Sequence, residues 1–408
     1  MILAPTERNH IMPWKASKSE AEERQEFCEK VLLHDEPLAR LCRQYGISRK
    51  TGYKWIKRYK DGESLNNLSR RPKSSPEATP LKVVKAIVEL RTKHRFLGGA
   101  KIGMILKNRG LAMVPSGTTI TSILRDLDML DRKACSDAKR FVRFAKNRSN
   151  DMWQFDFKGH FLLKDGTRCH PLTGIDDYSR FCICCEPLTH ERKETVIPVF
   201  ERLFREYGLP FSILCDNGSP WGVPYGRGIS CFEARMMELG VLVLHGRARH
   251  PQTQGKDERF NRTVLEEAIR YFKLANMKSV REELLEFVDF YNNERPHCGI
   301  GNKCPASIYE PSPRQYPDRI ADWEYPVGTE TRTIYSDGRF TFKGREMYLS
   351  QGMLGKRIAI VPSSIDGSYN VLFRQFLLGR FNLSTSEFEF VRPYLIKGDP
   401  REETFPGL

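Results

Sequence analysis

Three acidic residues of this chain stand where a protein can assemble a site for phosphodiester chemistry. Asp156 lies within a strand-like aromatic run, and Asp216 ends a short apolar run at an Asn-Gly turn signal. Glu258 begins a run of helical periodicity, on the face opposite Phe260 and Val264. Carboxylate oxygens are the ligands that hard divalent cations prefer, and two such ions about 4 Å apart can activate a hydroxyl nucleophile and stabilise the leaving oxygen. We therefore predict a divalent-metal site, provided that the helix packs beside the two strands.

Each acid on its own also has a plain structural interpretation, as a turn residue or a solvated group. Spacing alone does not establish that the three acids converge. Asp176 and Asp177 directly follow another predicted strand, and we interpret them as turn and ion-pair residues. The histidines and cysteines do not match the paired spacing of a zinc site, and the phosphate-binding motif GxxxxGK(S/T) is absent from the sequence. We therefore expect neither zinc nor ATP.

The segments around these acids alternate between strand and helix patterns. A period of two begins near residue 152, with Trp153 and Phe155 on one side and Asp156 on the other. RCHPLTGIDD and SRFCICCEPL predict further strands, ETVIPVFERLFREYG predicts an amphipathic helix that ends at Gly208, and PFSILC predicts a short buried strand. Strands followed by helices indicate a mixed α/β domain. Near the C-terminus, short strands separated by Gly turns indicate a small all-β unit.

Excess positive charge is concentrated at the front of the chain. Residues 1–150 contain 32 Lys and Arg against 16 Asp and Glu, within a 408-residue chain of formal net charge +15. Such a balance favours a polyanionic partner. No apolar run is long enough to span a membrane, no signal-peptide pattern is present, and three of the eleven cysteines, Cys182, Cys184 and Cys185, lie inside one apolar run, as reduced core residues do. We therefore expect a cytoplasmic, nucleoid-associated protein without a membrane partner.

The segment PLARLCRQYGISRKTGYKWIKRYK has the pattern of a helix-turn-helix. Gly46 permits the tight turn, Ser48 caps the second helix, and we expect Tyr53 and Ile56 to face inward. An ordinary charged helical hairpin is the alternative, but the charge excess and the basic linker favour DNA binding. Residues 81–131 predict three short helices and form a weaker candidate for a second such unit. The predicted DNA contacts on the second helix are Arg49, Lys50, Thr51 and Lys54.

The acidic motifs and their surroundings resemble the catalytic core of retroviral integrases, which bacterial insertion-sequence transposases also use. The resemblance rests on DF at Asp156, DNG at Asp216 and HPQTQGKDERFNRT around Glu258. It spans about residues 150–310 and includes YNNERPHCGIGNKCPASIY near the end of that range. The helix-turn-helix front and the β-rich end are also arranged as in those transposases.

This resemblance implies an RNase H-like fold whose DDE triad, here Asp156, Asp216 and Glu258, binds two Mg²⁺ ions, with Mn²⁺ able to substitute. The activity implied is cleavage and transfer of DNA strands at the ends of an insertion sequence. The implied partners are double-stranded DNA, as terminal inverted repeats and as target, and further copies of the chain, because two ends must be joined. Asp257 is expected to be turned away from the site by the helix.

Two features depart from the family pattern. The segment between Asp216 and Glu258 is longer than usual, and Leu265 occupies the position seven residues after the glutamate, where the family often has Lys or Arg. The DNA contact usually assigned to that position therefore needs another residue. Our first candidate is Arg262, one turn past Glu258, and Lys256 and Arg259 are the alternatives.

The sequence thus predicts a multidomain chain with N-terminal all-α helix-turn-helix modules, an α/β RNase H-like catalytic core and a small C-terminal SH3-like β-barrel. Two other functions stay open, namely a DNA-binding regulator that lacks catalysis and a nuclease that uses water as its nucleophile. The predicted divisions are a helix-turn-helix domain (1–62), a linker (63–80), a second helix-turn-helix-like domain (81–131), a basic connector (132–148), the catalytic core (149–310), a linker (311–327), the barrel (328–395) and a tail (396–408).

Overall fold

The chain divides into two compact units, residues 1–78 and residues 79–408. The predicted linker 63–80, connector 132–148 and tail 396–408 lie mostly outside the residues for which the structure gives a description. The computed structural model describes residues 19–34, 36–68, 79–130, 146–223, 228–246, 255–270, 274–335, 337–385 and 387–396.

The first unit is a cluster of three helices, α1 (Glu20–Leu32), α2 (Leu38–Gln44) and α3 (Arg49–Lys60). The expected turn between the second and third helices is confirmed. Gly46 has a φ of 64°, a conformation that glycine adopts without strain, and the Ser48 hydroxyl accepts the backbone N–H of Thr51 to cap α3. The apolar core of this unit consists of Phe27, Cys28, Leu41, Cys42, Trp55 and Ile56.

The expected inward position of Tyr53 is wrong, because this side chain is 63% exposed. Gly52, Trp55 and Ile56 form the buried face of α3. A side chain on Gly52 would meet Cys42, since an added Cβ would lie 2.8 Å from the Cys42 sulfur. With this face packed, the helical rotation places Tyr53 in solvent.

The second unit contains all the remaining helices and strands that the structure describes. None of the helices in the described part combines the length and the apolar character needed to cross a bilayer. Its helices are α4 (Leu81–Lys93), α5 (Gly99–Asn108), α6 (Gly117–Asp126), α7 (Lys193–Tyr207), α8 (Cys231–Glu238), α9 (Gly255–Val264) and α10 (Met277–Asn293). Its strands are β1 (Trp153–Phe157), β2 (Phe161–Leu162), β3 (Arg168–Asp176), β4 (Cys182–Leu188), β5 (Ser212–Cys215), β6 (Leu242–His245), β7 (Glu330–Thr333), β8 (Arg339–Phe342), β9 (Arg345–Tyr348), β10 (Arg357–Pro362), β11 (Ser368–Phe373), β12 (Phe376–Asn382) and β13 (Phe388–Leu395).

A mixed sheet flanked by helices forms the centre of this unit, which confirms the predicted α/β core. The strands lie in the order β4, β3, β1, β5, β6, and the short β2 pairs with the start of β3. β3 runs antiparallel to β1 and to β4, whereas β1, β5 and β6 are parallel. Apolar residues of α7 and α8 pack in one cluster with the sheet, and those of α9 and α10 pack in another. The sheet is therefore covered by helices and buried.

The three helices predicted for residues 81–131 are confirmed as α4, α5 and α6, and they pack against α10. The rings of His94 and Phe290 stack with centroids 3.7 Å apart. Arg109 donates to Glu294 over 3.0 Å, and Lys93 pairs with Glu286 over 2.6 Å. This helical group is therefore joined to the α/β core by both apolar and charged contacts.

The C-terminal strands form an open sheet, and the expected SH3-like barrel is not confirmed. The order is β13, β12, β11, β10, β7, all antiparallel, with β8 and β9 paired as a separate hairpin. Among the described strands, β13 and β7 remain edges of the sheet. The apolar side chains of this sheet pack with the hairpin and with Ala234 and Met237 of α8. The apolar side chains of the sheet are therefore buried by the hairpin and by α8, and not by closure of the sheet into a barrel.

Candidate active site

The first two predicted acids lie at corresponding positions on neighbouring parallel strands. The register of β1 and β5 pairs Gln154 with Leu214. Asp156 and Asp216 each stand two residues further along, at the carboxyl ends of the strands. Parallel pairing therefore brings these two residues to the same end of the sheet.

Their electrostatic environment is that of two carboxylates close together. Burial, followed by repulsion from Asp216, raises the pKa of Asp156 to about 6. Burial also raises the pKa of Asp216, although the Gly218 N–H and nearby His245 act in the opposite direction. The fully ionised pair is disfavoured in the protein alone, and a divalent cation bound there would offset the repulsion.

Asn261 of α9 fixes the orientation of the Asp156 carboxylate. Its side-chain amide donates to an Asp156 oxygen over 3.0 Å, and its carbonyl oxygen accepts the Thr173 hydroxyl over 2.8 Å. The side chain is 5% exposed. These contacts attach the helix to β1 and β3 at the position of the first acid.

The expectation that α9 turns Asp257 away from the site is wrong. Asp257 is 2% exposed, and Asn261 donates to it over 3.4 Å. Burial, then repulsion from Asp156 and Glu258, raises its pKa well above the ordinary range. Its Oδ1 atom has no hydrogen-bond partner among the described residues. A buried acid whose charged form is disfavoured thus lies close to Asp156.

Glu258 itself is on the exposed side of α9. No group of three or more histidine, cysteine and acidic side chains in the described ranges is arranged to hold a metal ion. The donor set present is the pair Asp156 and Asp216, whose oxygen atoms suit Mg²⁺ or Mn²⁺. The residues of the pair therefore fit a divalent cation, and the third carboxylate remains a prediction.

The turn that carries Asp216 is held by residues that the sequence did not single out as site residues. His245 Nδ1 donates to the Asp216 carbonyl oxygen over 2.6 Å, and its Nε2 lies 2.9 Å from Glu233. Asn217 donates to the Gly246 carbonyl oxygen over 2.7 Å. The sequence feature that indicates His245 is its position at the end of the apolar run LVLH. This run forms β6, which lies parallel to the strand before Asp216.

The interpretation of Asp176 and Asp177 as turn and ion-pair residues is confirmed. The Asp176 carboxylate accepts the backbone N–H groups of Asn150 and Ser179, both over 2.8 Å. Asp177 pairs with Lys256 over 2.5 Å. Lys256, one of the candidate DNA contacts, is therefore engaged within the protein.

The other predicted DNA contacts differ in how available they are. Arg259 and Arg262 are exposed on α9, as are Arg49, Lys50 and Lys54 on α3. The Thr51 hydroxyl lies 2.9 Å from that of Ser48 and so takes part in the helix cap. Tyr53 lies on the exposed surface of α3 together with these basic residues, so it is a further candidate for contact with DNA.

Several solved structures are similar to parts of the chain. A chain of the simian T-cell lymphotropic virus intasome, in complex with the PP2A regulatory subunit B56 gamma, is 17% identical, with a TM-score of 0.35 over 71% of this chain and 97% of that one. The catalytic core domain of BIV integrase is 20% identical, with a TM-score of 0.31 over 39% and 93%. The HTLV-2 integrase catalytic core domain, in complex with magnesium, is 16% identical, with a TM-score of 0.31 over 40% and 98%.

Family sequence models cover most of the described parts. Two models, each described as an integrase core domain, match residues 146–251 and 239–305. A helix-turn-helix domain model matches residues 23–73, and the model of the IS481 family transposase, C-terminal domain, matches residues 329–389. The order of these matches, with the two acids aligned inside the first, identifies the chain as a transposase with an integrase-type catalytic core, consistent with the IS481 family.

Proposed function

We propose that this transposase binds the terminal inverted repeats of an insertion sequence and cleaves and joins DNA strands at a site built on Asp156, Asp216 and Glu258. The observation that carries the proposal is the alignment of Asp156 and Asp216 at the ends of two neighbouring parallel strands. The match of this region to an integrase core domain supports the same chemistry.

The chain's own residues prepare the site in three ways. Asp156 and Asp216 would hold the metal, and their repulsion in its absence makes the pair a binding site for positive charge. Asn261 orients the first carboxylate, and His245 holds the turn that bears the second. When bound, two Mg²⁺ ions, or Mn²⁺ in their place, supply activation of a hydroxyl nucleophile and stabilisation of the leaving oxygen.

Glu258 is the proposed third carboxylate. Both Glu258 and Asp156 raise the pKa of Asp257, so the two acids act on the same buried group. Glu258 also belongs to the helix that Asn261 attaches to β1. These relations support a position near the pair, and the family resemblance supports its role.

Exposed basic residues are the proposed DNA contacts. Arg49, Lys50 and Lys54 of α3 would contact the terminal repeats, and Arg259 and Arg262 would contact DNA at the catalytic core. The helices of residues 81–131 are a proposed second DNA-binding module. We further propose that the protein acts as a homo-oligomer on the DNA of the nucleoid, because joining requires two element ends and a target.

The test is a reaction of the purified full chain with DNA that carries the repeats flanking its gene, in Mg²⁺ or Mn²⁺. Wild type is compared with Asp216→Asn, which keeps the size of the side chain and removes its charge. Cleavage and joining by wild type alone support the proposal. Specific binding without metal-dependent cutting would instead indicate a regulator, and cutting without joining would indicate a nuclease.

A further inference from the structure

The C-terminal sheet is packed onto the catalytic core through α8. The Ser350 hydroxyl donates to the Ile229 carbonyl oxygen over 2.7 Å and accepts the Ile229 N–H over 3.0 Å. Lys356 pairs with Glu238 at the end of α8 over 2.5 Å. Ile229 is itself fully buried among the apolar residues of the C-terminal strands β7 to β13, which are called the C-terminal unit below. The sheet therefore has a defined position on the core.

This packing brings β13 against β6, next to the turn that carries the second acid. Arg392 of β13 donates from its guanidinium to the side-chain oxygen of Asn217 over 3.3 Å. Asn217 directly follows Asp216, and its amide group is fixed by the carbonyl oxygen of Gly246. The C-terminal unit thus places a positive charge beside the catalytic turn.

The chemistry of Arg392 fits a phosphate ligand. A guanidinium has five N–H donors, and the bond to Asn217 uses one of them. Arg392 is exposed and forms no ion pair with a carboxylate among the described residues. A phosphodiester that approaches Asp156 and Asp216 meets two acids, so a neighbouring cation favours its binding.

We propose that Arg392 is a DNA phosphate contact of the active site, supplied by the C-terminal sheet and oriented by Asn217. This inference rests on the proposed strand-transfer function. It gives the C-terminal unit a direct part in placing the DNA strand at the acids.

The test compares Arg392→Gln and Arg392→Lys in the full chain, with Arg339→Ala as the control. Gln can still donate to Asn217 but has no charge, whereas Lys keeps the charge without the planar fork. Arg339 is an exposed arginine of the same unit whose guanidinium is paired with Glu346 over 2.6 Å. The measurements are the rate of joining of a precleaved element end to target DNA and the affinity for that DNA at several salt concentrations. Melting temperatures confirm that each variant is folded.

We expect Arg392→Gln to join DNA about ten-fold more slowly or worse, and Arg392→Lys to retain most of the rate. The slope of the logarithm of the binding constant against the logarithm of the salt concentration should fall by about one for Arg392→Gln and stay unchanged for Arg392→Lys and Arg339→Ala. Full activity of Arg392→Gln, or equal losses in the Gln and Lys variants, would overturn the phosphate contact. A wild-type protein that joins no DNA would instead contradict the proposed function.

Discussion

Asn261 donates a hydrogen bond of 3.0 Å to Asp156, a residue 105 positions earlier in the chain. The same asparagine accepts the hydroxyl of Thr173, which also donates to the Asp156 carbonyl oxygen. A single buried side chain therefore links α9 to β1 and orients the first carboxylate of the proposed triad.

Replacing Asn261 by Ala should reduce both activity and stability. The substitution leaves the buried Thr173 hydroxyl and the Asp156 carboxylate with fewer partners, at a cost of about 1–3 kcal/mol. We expect the rate of joining to fall at least about ten-fold and the melting temperature to fall with it. Asn293→Ala is the matched control, because Asn293 is exposed on α10 and contacts Asp289. Equal behaviour of the two variants would contradict this role.

The stability of the metal-free protein should depend on pH through Asp156. Its pKa is raised from 3.8 to about 6 in the folded chain, so the folded state holds this proton more tightly than the unfolded state. The resulting stabilisation is fully present below about pH 4 and is lost as the pH rises through 6. Asp156→Asn should lack this dependence. The measurement is the melting temperature of wild type and of the variant between pH 4.5 and roughly 8. A difference in melting temperature between the two proteins that stays constant with pH would contradict the raised pKa of Asp156.

Replacing Glu258 and Asp257 of α9 by their amides should have different effects on activity. Glu258→Gln should abolish cleavage and joining with little change in melting temperature, because Glu258 is exposed. Asp257→Asn should keep the fold and most of the activity, because burial disfavours the charged form of this acid and Asn has nearly the same shape. Metal-dependent cleavage of an end-containing duplex measures both. The reverse result would assign the third carboxylate to Asp257.

Tyr53 should contribute to recognition of the terminal repeats. The ring is 63% exposed on α3, close in the helical sequence to Arg49 and Lys50. We expect Tyr53→Ala to weaken binding to the repeats about ten-fold and binding to unrelated DNA much less, because the ring offers an apolar contact to base edges and carries no charge, whereas non-specific binding depends on charge. Fluorescence anisotropy with both DNAs measures this. Tyr348→Ala, which removes another exposed tyrosine from the C-terminal unit, should have little effect on repeat binding.

The contact between α5 and α6 should tolerate no side chain at Gly99. An added Cβ would lie 2.3 Å from the Gly117 carbonyl oxygen, so the helices would have to move apart. We expect Gly99→Ala to destabilise this helical group by about 1–3 kcal/mol. Gly98→Ala is a close control, because no atom lies within 4 Å of the corresponding Cβ. Limited proteolysis and thermal melting should distinguish the two variants.

The family resemblance placed Asp156 and Asp216 in one site, but their alignment depends on the parallel pairing of β1 with β5, which spacing along the chain does not establish. The inward position of Asp257 agrees with the helical period, because Asp257 lies three residues before Phe260 and seven before Val264, whereas the family resemblance implied the opposite. Both Asp257 and Glu258 are acidic, and a rotation of one residue around a helix exchanges which of them is buried. Packing of Phe260 against α10 selects the rotation, and that contact depends on a helix further along the chain.

Tyr53 and Trp55 present the same difficulty within α3, since both are large aromatic residues in a basic helix. Close packing of Gly52 against Cys42 determines which of them faces the core. The C-terminal strands were recognisable individually, but closure depends on pairing between strands and on competition from α8. The contact of Arg392 with Asn217 joins residues 175 positions apart, and no local pattern indicates it.

The docking of the C-terminal sheet on α8 also affects the order in which the protein is completed during translation. Ile229 bonds with a serine 121 positions downstream, and Glu238 accepts from an arginine 136 positions downstream. The apolar side of α8 therefore stays uncovered on the ribosome until the last strands have been made. A product of premature termination would expose this surface to chaperones and proteases.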